Sequence, residues 1–184
     1  MGTQIFMILN LLRKIENLLL QNKFRITKMN ELYQFTNQDL ELVSQIKKHQ
    51  NITAIYYHFW INLVNPEEKF VFVDTIEIVF DKTSTYFFKI NEEDTGYAIS
   101  SNYNFEEEQK ALAIKFQDVL SLKRIDVSQA TIWKEKIKTP LLSVNTVVDY
   151  ENRNENFIHF DFIDGSLAIF HDEEKGLQVE DYEF

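Results

Sequence analysis

The fold is decided by residues 52–101, which read ITAIYYHFWINLVNPEEKFVFVDTIEIVFDKTSTYFFKINEEDTGYAISS. Apolar and polar side chains alternate along most of this stretch, a pattern typical of β-strands that bury one face. Asn65-Pro66-Glu67-Glu68 is a turn sequence, and pairing Val64 with Lys69 across it predicts an antiparallel hairpin. In this register one face collects the large apolar side chains of both strands: Ile55, Tyr57, Phe59, Ile61, Leu63, Phe70, Phe72, Ile76, Ile78 and Phe80.

Two further strands are predicted to extend the hairpin into a meander. Thr85–Ile90 has the pattern of a third strand, and pairing Phe80 with Tyr86 places its apolar residues on the apolar face of the hairpin. The same register sets Glu77 opposite Lys89, which is a favourable cross-strand pair. A short fourth strand follows the next loop and carries Tyr97 and Ile99.

A second antiparallel meander is predicted from Val144 to Phe184. Asp164-Gly165 is a hairpin turn sequence, and pairing Phe162 with Leu167 across it assigns one apolar face. That face holds Val144, Thr146, Val148, Ile158, Phe160, Phe162, Leu167, Ile169, Leu177 and Val179. The pattern fits two separate sheets and one continuous curved sheet equally well.

Three main helices are predicted to pack on the apolar face. The first spans Gln4–Leu20, where apolar residues recur at helical spacing. The second begins at a capping box formed by Thr36 and Asp39. The third begins at Asn104, carries glutamates in its first turn, and ends at Lys123-Arg124. Two shorter elements lead to the second meander, a strand at Ile125–Val127 and a helix within Gln129–Lys138.

The composition indicates one α+β domain, 1–184, with halves at 1–104 (helices plus meander) and 105–184 (helix plus acidic meander). Apolar residues make up 45% of the chain, with four glycines and two prolines, which favours a packed core over disorder. No cysteine occurs, which excludes disulfides, thiolate metal sites and cysteine nucleophiles. We expect a soluble, cytoplasmic protein without a membrane span, because charged residues interrupt the apolar N-terminal segment.

The negative charge is concentrated at one end of the chain. The formal net charge is −10, and eleven acidic and two basic residues give Asn145–Phe184 a charge of −9, whereas Met1–Val144 carries −1. Such a surface repels nucleic-acid phosphates and attracts basic proteins. We therefore predict a basic protein partner and no nucleic-acid partner, although an acidic surface also serves solubility alone.

Motifs for phosphate binding, nucleophilic catalysis and metal-dependent hydrolysis do not occur in the sequence. The best set of metal ligands is His159, Asp161, His171 and Asp172. Strand alternation separates this set, because His171 would pair with Ile158 and lie on the core-facing side. We therefore predict neither a metal site nor a cofactor.

Asp74 is the one carboxyl that interrupts the apolar face of the first meander. If it were buried there, its pKa would be raised and it would suit general acid or base catalysis. The favoured alternative is a β-bulge at Asp74-Thr75 that turns the side chain away from the core.

The other face of the first hairpin is unusually aromatic, with Tyr56, His58 and Trp60 beside Val71 and Val73. Such residues are typical anchors of protein interfaces, but a covering helix or the second meander would explain them as well. The predicted partner-binding residues combine these aromatic anchors with acidic side chains: Tyr56, Trp60, Asp149, Glu151, Asp161, Asp172, Glu173 and Glu174.

The chain is small, acidic and free of cysteine, and it has aromatic strands such as Tyr86-Phe87-Phe88 and an acidic hairpin at Asp164-Gly165. In these features it resembles the small immunity proteins of bacterial polymorphic toxin systems. The resemblance implies a non-catalytic protein that inhibits one toxin by covering its active site. Two alternatives stay open: a small hydrolase-like enzyme that uses Asp74 or the pair His159 and Asp161, and a structural oligomerising module. The sequence does not determine the oligomeric state.

Overall fold

A computed structural model describes residues 35–65, 67, 72–91, 97–149, 155–172 and 174–182. The alternating stretches form the strands β1 (Ile52–Asn62), β2 (Phe72–Phe80), β3 (Ser84–Ile90), β4 (Tyr97–Ser100), β5 (Leu120–Asp126), β6 (Leu141–Asp149), β7 (Glu155–Phe162), β8 (Gly165–Asp172) and β9 (Gly176–Tyr182). The helices are α1 (Asn37–Ile46), α2 (Phe105–Lys115), α3 (Thr131–Lys134) and the 3-10 helix Lys136–Lys138. The first predicted helix, Gln4–Leu20, lies outside the described residues.

The strands belong to one sheet with both antiparallel and parallel pairing. Its order is β4-β3-β2-β9-β8-β7-β6, and β1 pairs with β2 and with β5. Among the described strands every pairing is antiparallel except that of β2 with β9, which run parallel where Val73 pairs with Gly176. The α+β class is confirmed. The prediction of purely antiparallel sheet is confirmed within each meander and wrong at the bridge that joins them.

The register of the first hairpin is as predicted in its central part. Ile55 pairs with Ile78, and Tyr57 pairs with Ile76. The side chains of Ile55, Ile76 and Ile78 are fully buried, because alternation along both strands points them to the same face. The apolar pattern alone therefore selects this pairing.

A β-bulge at Asp74 changes the faces at the start of β2. His58 pairs with Thr75 and Phe59 with Val73, so Asp74 has no residue opposite it. The bulge reverses the alternation, which brings Val73 into the core and places Phe72 on the other face. The bulge at Asp74 is confirmed, whereas the predicted faces of Phe72 and Val73 are wrong.

Two hairpins are tighter than predicted. Tyr86 pairs with Ile78 instead of Phe80, because the turn contains three residues, Asp81–Thr83. Asp81 and Lys82 adopt positive φ angles of 49° and 66°, which close the shorter turn. Similarly, Phe162 pairs with Gly165 across a two-residue turn, instead of with Leu167. Each shift is two residues, so the predicted faces survive while the cross-strand pair of Glu77 with Lys89 does not form.

The third predicted helix ends earlier than expected. Helix α2 ends at Lys115, and Gln117 and Asp118 have positive φ angles of 51° and 61°, which turn the chain into β5. Strand β5 pairs with β1 along its whole length. The assignment of Lys123-Arg124 to the end of a helix is therefore wrong, and both residues lie in a strand.

One hydrophobic core lies between α1 and the apolar faces of both meanders. Phe88 of the first meander and Phe160 of the second meet edge to face, with 5.7 Å between ring centroids. Trp133 of α3 is fully buried, and its indole Nε1 donates a hydrogen bond to the hydroxyl of Tyr57 at 2.7 Å. Helix α2 packs instead on the opposite face of the first meander, so the expectation that every main helix covers the core face is wrong for α2.

Asp39 joins the start of α1 to the edge strand β4. Its Oδ2 accepts the backbone N–H of Thr36 at 2.8 Å, and its own backbone N–H donates to the hydroxyl oxygen of Thr36 at 3.2 Å, which are the two bonds of the predicted capping box. Its Oδ1 accepts the backbone N–H of Ile99 at 2.7 Å, and Asp39 is buried. One carboxylate thus satisfies the backbone of two elements.

We expect Asp39→Ala to lower the free energy of unfolding by about 2 kcal/mol, because it removes the capping acceptor of Thr36 and leaves the buried N–H of Ile99 without its acceptor. Urea denaturation of the purified variant measures the loss. Glu41→Ala is the control, since Glu41 is exposed on the same helix and should change stability by less than about 0.5 kcal/mol. Equal losses in the two variants would contradict the role assigned to Asp39.

Candidate functional site

The bulge at Asp74 opens into a cavity between α2 and the outer face of the first meander. The cavity has a volume of about 270 Å³. Trp60 and Phe72 are stacked with ring centroids 4.2 Å apart, and both line it. The other lining residues are Asp74, Lys89, Ile90, Asn91, Glu108, Ala111, Leu112, Lys115 and Leu122. Two other hollows, of about 650 and 430 Å³, are more open to solvent and include neither Asp74 nor Trp60.

Asp74 is held by two neighbouring donors. The indole Nε1 of Trp60 donates to Oδ1 at 3.1 Å, and the hydroxyl of Thr75 donates to Oδ2 at 2.7 Å. Burial raises the pKa of Asp74, the two hydrogen bonds oppose this effect, and the charge of Glu108 adds to it, so the pKa lies above its usual value. The bulge thus turns Asp74 away from the core and into a cavity. Its pKa is raised there, as it would be if the side chain pointed into the core.

The rim of the cavity carries opposite charges. The ammonium of Lys89 donates to Oε1 of Glu108 at 3.0 Å, so this pair is internally neutral. None of the described carboxylates forms an ion pair with Lys115, whose ammonium lies 5.4 Å from the ring centroid of Phe116. Asp74 on the sheet and Lys115 on the helix are therefore the two lining charges that form no ion pair with a described residue, although the charge of Lys89 also acts on Asp74.

A second polar network lies beside the cavity on the same face of the sheet. His58 is buried, its Nε2 lies 3.0 Å from Oε2 of Glu77, and its Nδ1 lies 3.0 Å from the hydroxyl of Tyr103. Arg124 donates two hydrogen bonds to Glu77, from Nε at 2.7 Å and from Nη2 at 2.8 Å. The guanidinium of Arg124 also lies 3.3 Å above the ring centroid of Tyr56.

The charges of this network compensate one another. Burial alone would raise the pKa of Glu77, but the hydrogen bonds and charges of Arg124 and His58 outweigh it and hold the pKa at about 2. The pKa of Tyr103 is raised, first by burial and then by the charge of Asp74. With Glu77 ionised and the phenol of Tyr103 neutral at neutral pH, the network has the properties of a structural element more than of a reactive one.

The sequence identified His58 as part of the aromatic outer face, but it did not identify the network. The network depends on strand β5, because His58 lies opposite Arg124 in the pairing of β1 with β5. Arg124 was predicted instead to lie at the end of a helix. The usable signal was the short apolar alternation of Leu120 and Leu122 at the start of β5, where Leu122 is buried and lines the cavity. Glu77 was assigned to Lys89, which pairs with Glu108 instead.

The two aromatic candidates for partner binding are both engaged within the chain. Tyr56 is stacked beneath Arg124, and Trp60 is half-buried between Phe72 and Phe116, whose ring centroid is 5.3 Å from that of the indole. The alternative in which a helix covers the aromatic face is therefore correct for Trp60, since α2 passes over it.

The acidic candidates do not share one environment. Asp161 is half-buried and accepts the Ser166 hydroxyl at 3.0 Å. Asp172 accepts the backbone N–H groups of Glu174 and Lys175, both at 2.9 Å, and these bonds lower its pKa. Glu174 is exposed. Two further candidates lie outside the described residues, Glu151 and Glu173, and Asp149 is the last residue of β6.

The strand register divides the acidic residues into two groups. Asp172 and Glu174 lie at the β8–β9 turn. The second group, which we call the acidic end, consists of Asp161, Asp164, Glu180 and Asp181 near the β7–β8 turn. Four residue steps along the hairpin separate the nearest members, Glu180 and Asp172, by about 14 Å, which exceeds the screening length of about 8 Å at physiological salt.

The predicted separation of the metal-ligand set is visible in the sheet. His159 pairs with Ala168 on the outer face, whereas His171 pairs with Leu177 in a row that belongs to the core side. His159 is buried, and burial lowers its pKa. Across the described ranges, no three His, Asp or Glu side chains come together as metal ligands would.

Comparison of the chain with family models, curated proteins and solved structures finds no match. In the part of the chain that the structure describes, no helix is long and apolar enough to cross a membrane. The function therefore has to be argued from the surfaces and the cavity themselves.

Proposed function

We propose that the protein is a non-catalytic binding domain that captures a basic protein partner at the acidic end of its second meander. The observation that carries the proposal is the combination of charge and exposed apolar surface there. Ile163, in the β7–β8 turn, is 70% exposed, and Leu142, at the bulge of β6 that faces this turn, is 58% exposed.

Surrounding charges give this apolar surface the composition of an interface. Glu180 and Asp181 are exposed at the end of β9, and Asp161 lies diagonally across β8 from Glu180. Asp164 is balanced by Lys136, whose ammonium lies 3.2 Å from its Oδ1. Apolar anchors surrounded by charge are typical of transient protein interfaces, in which the anchors slow dissociation and the charges accelerate association.

The resemblance to small immunity proteins supports the same proposal, since it implies one-to-one inhibition of a toxin by an acidic α+β protein. In that setting the acidic end would cover a basic active site, and a reducing cytoplasm would be the place of action. Both statements rest on the resemblance.

The test uses charge reversal at residues that do not support a turn. Asp172 is unsuitable, because Asp172→Lys would remove the acceptor of two turn N–H groups. We expect the double variant Glu180→Lys/Asp181→Lys to lower the association rate constant about tenfold at low salt and to leave the dissociation rate nearly unchanged. Ile163→Ser should instead accelerate dissociation by about tenfold.

Affinity capture from cells of the source organism, with the wild-type and double-variant chains side by side, identifies the partner as the protein that the wild type alone retains. Surface plasmon resonance at several salt concentrations then measures both rate constants. Glu41→Lys is the control, since it reverses one carboxylate at an exposed position of α1, half of the charge change in the double variant, and should leave the association rate nearly unchanged. An association rate that neither salt nor the double reversal changes would show that the acidic end serves solubility alone.

A further inference from the structure

The cavity at Asp74 takes no part in the proposed protein interface, and its lining has a chemistry of its own. We propose that it binds a small zwitterion, an α-amino acid with an apolar side chain. Three features of the lining carry this inference: a carboxylate on one wall, an ammonium that pairs with no described carboxylate on the other, and apolar surface between them.

The carboxylate of Asp74 is the group that would receive the ligand's ammonium. Each of its oxygens accepts one hydrogen bond from the protein, from Trp60 or from Thr75. A carboxylate oxygen has two lone pairs, so each oxygen can accept a further hydrogen bond. The indole of Trp60 beside it offers the ring on which a cation is most favourably placed.

Lys115 is the group that would receive the ligand's carboxylate. It is the last residue of α2, it is exposed, and it lines the cavity opposite the sheet. Lys89 is less suited, because Glu108 already neutralises it at 3.0 Å. The lining thus offers one negative and one positive group to the ligand, which excludes a strong preference for a simple cation or a simple anion.

The walls and the size of the cavity define the rest of the ligand. Trp60, Phe72, Leu112 and Leu122 supply aromatic and aliphatic surface. A volume of about 270 Å³ lies just below the range of roughly 300–1,000 Å³ for sites that hold drug-sized molecules. A single amino acid with a side chain such as that of leucine, methionine or phenylalanine fits these limits.

The experiment is calorimetric titration of the full chain with L-leucine, L-methionine, L-phenylalanine and glycine, and with the N-acetyl and amide derivatives of the best ligand. We expect binding of an apolar amino acid, at least tenfold weaker binding of glycine, and at least a tenfold loss on N-acetylation or amidation. Asp74→Asn should remove the preference for the free amine, and Lys115→Gln should remove the preference for the free carboxylate.

Lys110→Gln is the matched control, because Lys110 is an exposed lysine of α2 that does not line the cavity. The Lys110→Gln variant should bind the amino acid with the same affinity as the wild type. Ala111→Trp blocks the cavity from an exposed helix position and should abolish binding, so the test survives if Asp74→Asn fails to fold. The inference is overturned if no amino acid binds at 10 mM, on the order of the weakest useful affinity, or if Ala111→Trp leaves binding intact. Equal binding of the N-acetyl derivative would overturn it as well.

Discussion

Gly176→Ala is expected to lower the free energy of unfolding by about 3–5 kcal/mol, which is a large share of the roughly 5–15 kcal/mol that stabilises an ordinary domain. Gly176 has a φ of 78°, and an added Cβ would lie 2.3 Å from the carbonyl oxygen of Val73 and 2.9 Å from its carbonyl carbon. These neighbours are backbone atoms, so they cannot move aside without opening the bridge. That bridge is the parallel contact through which β2 and β9 join the two meanders, supported by the hydrogen bond from the N–H of Val73 to the carbonyl of Lys175 at 2.9 Å.

Chemical denaturation measures the loss, and Gly165→Ala provides the control. Gly165 also has a positive φ, 122°, but its added Cβ would meet the end of the Lys136 side chain at 3.3 Å, which can move. Gly165→Ala should therefore cost about 1–2 kcal/mol, the strain of the backbone alone. If both variants lost the same stability, the close approach at Gly176 would not be what holds the meanders together.

This bridge also shows where sequence reasoning stops. The apolar alternation in 52–101 predicted the central register of the first hairpin, because a slip by one residue would expose every core side chain. Nothing in local sequence selects a parallel contact one residue long between segments a hundred residues apart. The glycine was visible, but the carbonyl of Val73 that requires it was not.

The errors in register have a local cause. A shift of two residues leaves every side chain on its face, so the hydrophobic pattern does not distinguish a three-residue turn from a five-residue turn. The observed turn at Asp81–Thr83 needs positive φ angles at Asp81 and Lys82, which non-glycine residues adopt infrequently. Side-chain faces were therefore predictable, and cross-strand partners were not.

The candidate site was predictable in one residue only. Asp74 stood out because a carboxyl interrupted an apolar face, and its bulge followed from the same pattern. The cavity around it depends on α2 packing on the outer face, which no periodicity in that helix indicates. Lys115, Glu108 and the His58 network enter through tertiary contacts, so they could not be assigned to Asp74 from the sequence.

Glu77→Ala is expected to lower the free energy of unfolding by about 2–3 kcal/mol, because it removes the carboxylate that contacts the buried His58 and accepts the hydrogen bonds of Arg124, whose guanidinium is exposed enough to bind water instead. Glu77 accepts both hydrogen bonds of Arg124 and contacts the buried His58. Glu135→Ala is the control: Glu135 forms an exposed ion pair with Lys138, and its loss should cost less than about 1 kcal/mol. Losses of similar size in both variants would show that the network contributes no more than a surface pair.

The contribution of Glu77 should also depend on pH in a way that identifies its charge. Its pKa is about 2 in the folded chain, whereas that of an unperturbed glutamate, as in the unfolded chain, is 4.5. A carboxyl whose pKa is lowered by folding stabilises the fold fully above its unfolded value, and this stabilisation is lost as the pH falls through the folded value. The difference in stability between the wild type and Glu77→Gln should therefore be constant above about pH 5 and shrink between pH 4.5 and pH 2 by roughly 3 kcal/mol. Thermal unfolding of both proteins across this range measures the difference. If the difference in stability between the wild type and Glu77→Gln did not depend on pH, the charge of Glu77 would not contribute to it. Packing and uncharged hydrogen bonding would then account for the role of Glu77.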